Sequence, residues 1–145
     1  MEQLIEKLKL YHATNFAFYL KMHFFHWNVE GPDFPQYHEL FGKIYEDVHG
    51  SVDSVAEHLR ALQAYAPGSF TRFSAMSAIA DQVDPIPAAE MIKMAMADNT
   101  KLMFMLVNLD KMASEANEIG LSNFLQARHE IHRKHQWMLR ATSKG

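Results

Sequence analysis

The sequence contains no cysteine. Disulfides, thiolate metal sites and cysteine nucleophiles are therefore excluded, and a reducing, cytoplasmic setting is the expectation that fits. An excess of basic residues is also missing. Lys and Arg number 14 against 17 Asp and Glu, for a net charge of −3, which argues against a nucleic-acid binder held by clustered cations. No stretch approaches the ~20 consecutive apolar residues that span a bilayer, so no membrane role is expected. The opening Met1-Glu2-Gln3-Leu4-Ile5-Glu6-Lys7 alternates charged and apolar groups and lacks a signal-peptide core. What is present is a 145-residue chain, 48% hydrophobic, enough to bury a core and expected to form one domain over residues 1–145.

Glycine and proline are few, 6 and 5, and most of them act as punctuation. Helical periodicity runs from about Glu2 to Asn28, with Ile5, Leu8, His12, Asn15, Tyr19, Met22 and His26 on adjacent turns. Glu30-Gly31-Pro32-Asp33-Phe34-Pro35 stops it, and Pro35 suits the first turn of a second helix. The second stripe reads Phe41, Ile44, Val48, Val52, Val55, Leu59, Leu62, and Pro67-Gly68 is expected to end it. Between Ser69 and Pro87 a connector leaves room for a short helix over Phe70–Ile79. A third long helix is expected from about Ala88 to Ala116, a turn at Gly120, and a fourth from Leu121 to Thr142 with Phe124, Leu125, Met138 and Leu139 inward. No run alternates in the manner of a strand. Four helices with one long crossover predict an all-α, ferritin-like four-helix bundle with a short extra helix between helices two and three.

Nine histidines are many for this length. His26 closes the first helix and His38 lies in the first turns of the second. Asp53 and Glu57, four residues apart, share one face of that second helix. Two imidazoles and two carboxylates suit Fe(II), a borderline cation that accepts nitrogen and oxygen donors. Yet Asp53 follows His38 by fifteen positions, roughly 22 Å along a helix axis. One straight helix cannot bring both to one metal. Either they serve different sites, or a neighbouring subunit completes the site, which a two-fold interface does reciprocally.

The stretch His26-Trp27-Asn28-Val29-Glu30-Gly31-Pro32-Asp33-Phe34-Pro35-Gln36-Tyr37-His38, followed by Asp53-Ser54-Val55-Ala56-Glu57, resembles the signature of the Dps family of miniferritins. Gln136-Trp137-Met138-Leu139-Arg140-Ala141 is similar to that family's last helix. The resemblance implies a homododecameric shell with ferroxidase sites at two-fold interfaces. In it His26 and His38 come from one subunit, Asp53 and Glu57 from the other, Fe(II) and hydrogen peroxide are substrates, and ferric mineral is stored inside. Family members that bind DNA commonly do so through a Lys-rich amino-terminal tail. This chain enters its first helix almost at once, and Lys144 alone follows the last, so DNA association is expected to be weak or absent.

Other motifs have plainer readings. Glu46 and His49 form the chain's one Glu-x-x-His pattern, whereas a di-iron centre inside one bundle wants it on two helices. His129, His132 and His135 drift around their helix and are expected on a solvated face. His23 is placed either beside the site as a hydrogen-bonding residue or at the surface, and Trp27 is taken as packing, with radical quenching as its other role. Ten methionines fill an adaptable core, with a haem ligand as a less ordinary use. Glu115 and Glu118 are acidic, but Ser114 and Asn123 leave the turn before the last helix less charged than the family's usual entry pore, and Glu39 and Glu46 are candidates for mineral nucleation. The competing function is a structural or DNA-associating cage without ferroxidase activity.

Overall fold

Between these breakers the computed structural model, which describes residues 1–144, forms helices α1 (Glu2–Asn28), α2 (Phe34–Ala61), α3 (Phe70–Met76), α4 (Ala88–Glu115) and α5 (Ile119–Ser143). Gly145, the end of the expected domain, lies outside the described residues, and no strand occurs among those described. At the end of α1, Val29 turns extended while its N–H still closes on the Phe25 carbonyl at 2.9 Å. Gly31 takes φ +121°, open to glycine and strained for other residues, and Pro35 sits in the first turn of α2.

Two helix ends differ from expectation. Helix α2 stops at Ala61, ahead of Pro67-Gly68, because Gln63 adopts a left-handed φ of 66°. The Ala64 N–H then reaches the Leu59 carbonyl at 3.0 Å and the Gln63 N–H the Arg60 carbonyl at 2.9 Å, a closure that satisfies the last carbonyls. Asn117, at φ 60°, closes α4 identically through Glu118 N–H to Ala113 at 2.9 Å. The turn expected at Gly120 is thus made by Asn117, and Gly120 lies within the first turn of α5.

Helix α1 lies along α2, α4 lies along α5, and α1 also packs on α4 and α3. The connector is pinned to α1 by polar groups. His12 Nε2–H donates to the Pro67 carbonyl at 3.0 Å, and the Ala78 N–H donates to Thr14 Oγ1 at 2.9 Å. Ser69 caps α3, its hydroxyl accepting from the Arg72 N–H at 3.1 Å. Leu8, Phe18, Met22, Phe25, Phe41, Ile44, Val55, Leu102, Leu106, Leu125 and Leu139 are buried in the centre. Each such side chain contributes about 1.5–3 kcal/mol relative to exposure. Met138, expected inward, is exposed, since its neighbour Leu139 takes the inward position and adjacent helical residues point roughly 100° apart.

The core also holds a polar network. Arg128 of α5 donates two parallel hydrogen bonds to Asp47 of α2, both at 2.9 Å, and His135 Nε2–H donates to the same carboxylate at 2.7 Å. Arg128 also donates to His132 Nε2 at 3.1 Å, while His132 Nδ1–H donates to Asn99 Oδ1 at 2.7 Å. His132 is completely buried, which corrects the solvated-face reading of the three histidines. His132 continues the stripe Leu121, Leu125, Arg128 in steps of three and four, which is the buried face of α5. Lys21 and Asp98, both buried, form a second internal ion pair at 2.7 Å between α1 and α4.

Candidate metal centre

The last turn of α1 and the first turns of α2 converge across Gly31, and this is what brings His26 to His38. Their rings stack at 3.7 Å and 16°. His26 Nδ1 lies 2.6 Å from the His38 carbonyl, and His38 Nδ1 lies 2.7 Å from the His26 carbonyl. A carbonyl only accepts, so each Nδ1 carries the hydrogen, and in the neutral tautomer that this selects, Nε2 is the nitrogen with a lone pair. Among the described residues neither Nε2 enters a hydrogen bond. A backbone carbonyl fixing the tautomer from behind is the usual arrangement for a metal-binding imidazole. Phe34 stacks on the outer side of His38 at 5.0 Å, and Tyr45 lies 5.1 Å from His26.

Gly42 completes this cradle. It is buried on α2, four residues after His38, and a Cβ there would stand 3.1 Å from His26 Cε1 and 3.2 Å from its Nδ1. The His26 ring therefore rests on bare helix backbone. Along α2 alone a glycine at this position only costs helix propensity. Its signal was the position, one turn from His38 on the same face.

Asp53 and Glu57 lie one turn apart and exposed on α2, as their spacing requires. The chain unites His26 with His38 and leaves the carboxylates further along the same helix. Among the described residues of the single chain, no three His, Asp or Glu side chains are placed to hold a metal ion.

His23 is half-buried and hydrogen-bonded. The Tyr19 hydroxyl lies 3.0 Å from its Nδ1, its ring stacks on Tyr45 at 3.8 Å and 8°, and Trp27 lies 4.0 Å away. Burial lowers its pKa first, with the charges of His26 and His49 acting the same way and Glu46 opposing them. Trp27 is otherwise exposed, and this ring contact is its packing within the chain. Glu46 and Glu39 are exposed, Glu39 beside Lys43 at 3.5 Å. In α4 Met91 is buried and Met94, Met96, Met105 and Met112 pack against the core, the adaptable filling their number suggested. At the α4–α5 turn Asp110 accepts from Ser122 at 2.5 Å and from Gln126 at 3.2 Å, beneath a depression lined by Asn117, Glu118 and Asn123.

A family model described as a ferritin-like domain matches residues 5–144. The chain belongs to the ferritin-like family, all-α, and within it to the Dps miniferritins. It is 30% identical over 142 residues to the DNA protection during starvation protein of Brevibacillus brevis, covering 97% of this chain and 95% of that one. Antigen TpF1 from Treponema pallidum superposes with a TM-score of 0.95 at 28% identity, covering 99% of this chain and 93% of that one. A Dps protein from Vibrio cholerae O1, titled a member of a broad superfamily of ferritin-like diiron-carboxylate proteins, gives 0.94 at 25% identity, covering 99% and 90%. No helix of the described residues is long and apolar enough to cross a membrane.

Proposed function

We propose that this chain is a one-domain ferroxidase subunit, acting in the cytoplasm, that oxidises Fe(II) with hydrogen peroxide between two copies of itself. The ferric product is stored inside a homododecamer. The observation that carries this reading is the reciprocal His26–His38 pair, in which backbone carbonyls engage both Nδ1 atoms and leave both Nε2 atoms without a hydrogen bond among the described residues. Asp53 and Glu57 of the facing copy supply the carboxylates. Two anionic oxygen donors favour Fe(III) over Fe(II), so the ligand set assists electron loss from its substrate. Peroxide takes two electrons and two protons to give two waters. Consumption of about two Fe(II) per peroxide is therefore expected, with both ions held by the interface ligands. Oxidation in pairs avoids releasing a hydroxyl radical, so protection of DNA is chemical and does not require coating it. The net charge of −3 supports weak or absent duplex binding.

The direct test compares Fe(II) oxidation by the wild type and by Asp53→Ala/Glu57→Ala, with light scattering on both. A variant that assembles and loses fast oxidation is the expected result. Unchanged oxidation would remove both carboxylates from the site, and a wild type that stays monomeric would remove the site altogether.

Gly42 gives a second prediction. Gly42→Ala improves helix propensity by about 1 kcal/mol, but its methyl would stand 3.1 Å from His26 Cε1 and push the ring a few tenths of an ångström off its seat. Fast oxidation is expected to fall by roughly ten-fold or more, since small misplacements of reacting groups are costly, while the thermal midpoint changes little. An unaltered rate with an unaltered midpoint would show that His26 acts from some other position.

A further inference from the structure

Beside the two histidines lies a set of aromatic rings that ligand binding does not use. Tyr45 stands 5.1 Å from His26 and 6.2 Å from Tyr19, and His23 is held flat against Tyr45 at 3.8 Å. Trp27 closes on His23 from another side at 4.0 Å. Ring contacts of this length form a continuous pathway for an electron or a hole from the His26–His38 pair into α1. Only one phenol on the pathway has a hydrogen-bonded base. The Tyr19 hydroxyl lies 3.0 Å from His23 Nδ1, placed to donate to that nitrogen in the Nε2–H tautomer, whereas Tyr45 has no such partner among the described hydrogen bonds. The ring contacts restrain His23, which keeps that nitrogen directed at the phenol.

The geometry points to Tyr19 as a one-electron trap that, with His23 as its proton acceptor and Tyr45 as the connecting ring, discharges stray oxidants formed at the His26–His38 site. Oxidising a phenol without moving its proton creates a strongly acidic radical cation, and a base already in hydrogen-bond contact removes that obstacle. The balance is complete. A hydroxyl radical, made when peroxide meets a single Fe(II), takes one electron and becomes hydroxide, which gains a proton from solvent to give water. The electron comes from Tyr19, whose O–H bond breaks as its proton passes to His23 Nδ1. A further Fe(II) returns the electron, becoming Fe(III), and His23 returns the proton. Trp27, at 58% exposure, is reached along the same stack but has no base on its indole N–H among the described hydrogen bonds. It is thus a branch of the pathway and a less favourable resting place.

The proposal rests on the ferroxidase reading only for the source of its oxidant, and the experiment removes that dependence. Assembled, metal-free protein is oxidised by flash photolysis of a ruthenium polypyridyl sensitiser with a sacrificial acceptor, and the radical is trapped by rapid freezing for EPR. Wild type is expected to give a neutral tyrosyl signal that forms more slowly in deuterated water. Tyr19→Phe should lose most of that signal and shift the hole to a tryptophan, and Tyr45→Phe should slow its appearance several-fold. His23→Phe, which keeps an aromatic ring and removes the base, should abolish the solvent isotope effect. Circular dichroism and light scattering confirm that the variants fold and assemble. A tyrosyl signal of wild-type size and line shape in Tyr19→Phe would overturn the assignment, placing the radical on Tyr11, Tyr37, Tyr45 or Tyr65. Loss of iron oxidation in the wild type with an intact photochemical signal would defeat the ferroxidase reading and leave the trap standing.

Discussion

Cages assembled from equal amounts of His38→Ala and Asp53→Ala chains should oxidise Fe(II), although cages of either variant alone should not. Each two-fold pair carries two sites, and each site takes histidines from one chain and carboxylates from the other. When a His38→Ala chain meets an Asp53→Ala chain, one site lacks both groups and the other lacks neither. Random mixing makes about half the pairs mixed, so about a quarter of all sites are whole. The variants are co-refolded, so that pairs form anew, and initial oxidation rates are compared with those of separately refolded samples mixed afterwards. Recovery only after co-refolding identifies a shared site. No recovery would place all four ligands within one chain, against the roughly 22 Å of helix between His38 and Asp53. That helix is continuous from Phe34 to Ala61, so no kink shortens the separation. The expected contrast, from background to about a quarter of wild-type activity, makes this a sensitive test of assembly-dependent chemistry.

The same residues show what a sequence makes legible. His26, His38, Asp53 and Glu57 stand at separations that helix geometry translates directly into distances, and the breakers at Gly31-Pro32 and Pro85-Ile86-Pro87 mark the ends of long stripes. Gln63 and Asn117 end α2 and α4 by adopting positive φ. Neither side chain announces this as glycine would, so Pro67-Gly68 and Gly120 drew the boundaries instead. Gly42 matters through a contact with His26 across sixteen residues, and helix propensity alone sees only its cost. The Asp47–Arg128–His132 network was hidden for a related reason. Each member reads as an ordinary surface group along its own helix, and only packing α2 against α5 brings the three together. Lys21 and Asp98 were concealed likewise, separated by 77 positions yet paired in the core.

That network should govern stability and its dependence on pH. Asp47→Ala leaves the Arg128 guanidinium buried without its carboxylate, a change that costs about 3–5 kcal/mol. For a chain of this size the thermal midpoint should fall by on the order of 10 °C. Asp47→Leu/Arg128→Met, which removes both charges and keeps volume, should recover much of the loss. Burial alone would raise the Asp47 pKa, but hydrogen bonds from His135 and Arg128, with the guanidinium charge, outweigh it and hold the group far below the ordinary carboxylate range. Its contribution is thus complete above about pH 4 and is lost as acid protonates the folded carboxylate. His132 acts earlier. Burial first, then the charge of Arg128, pushes its pKa well below the usual imidazole value. The unfolded chain therefore takes up its proton at higher pH than the folded one, and stability declines as pH drops below about 6.5. Tyr11 sets the opposite limb. Burial raises its pKa to about 12, so its contribution is whole below about pH 10 and fades above it. Calorimetry across this range should show a plateau near neutrality with decline on both sides. In Tyr11→Phe, which leaves no phenol to ionise, the alkaline decline should shrink while the acid one persists. An alkaline decline unchanged in that variant would mean the buried phenol does not titrate between folded and unfolded states.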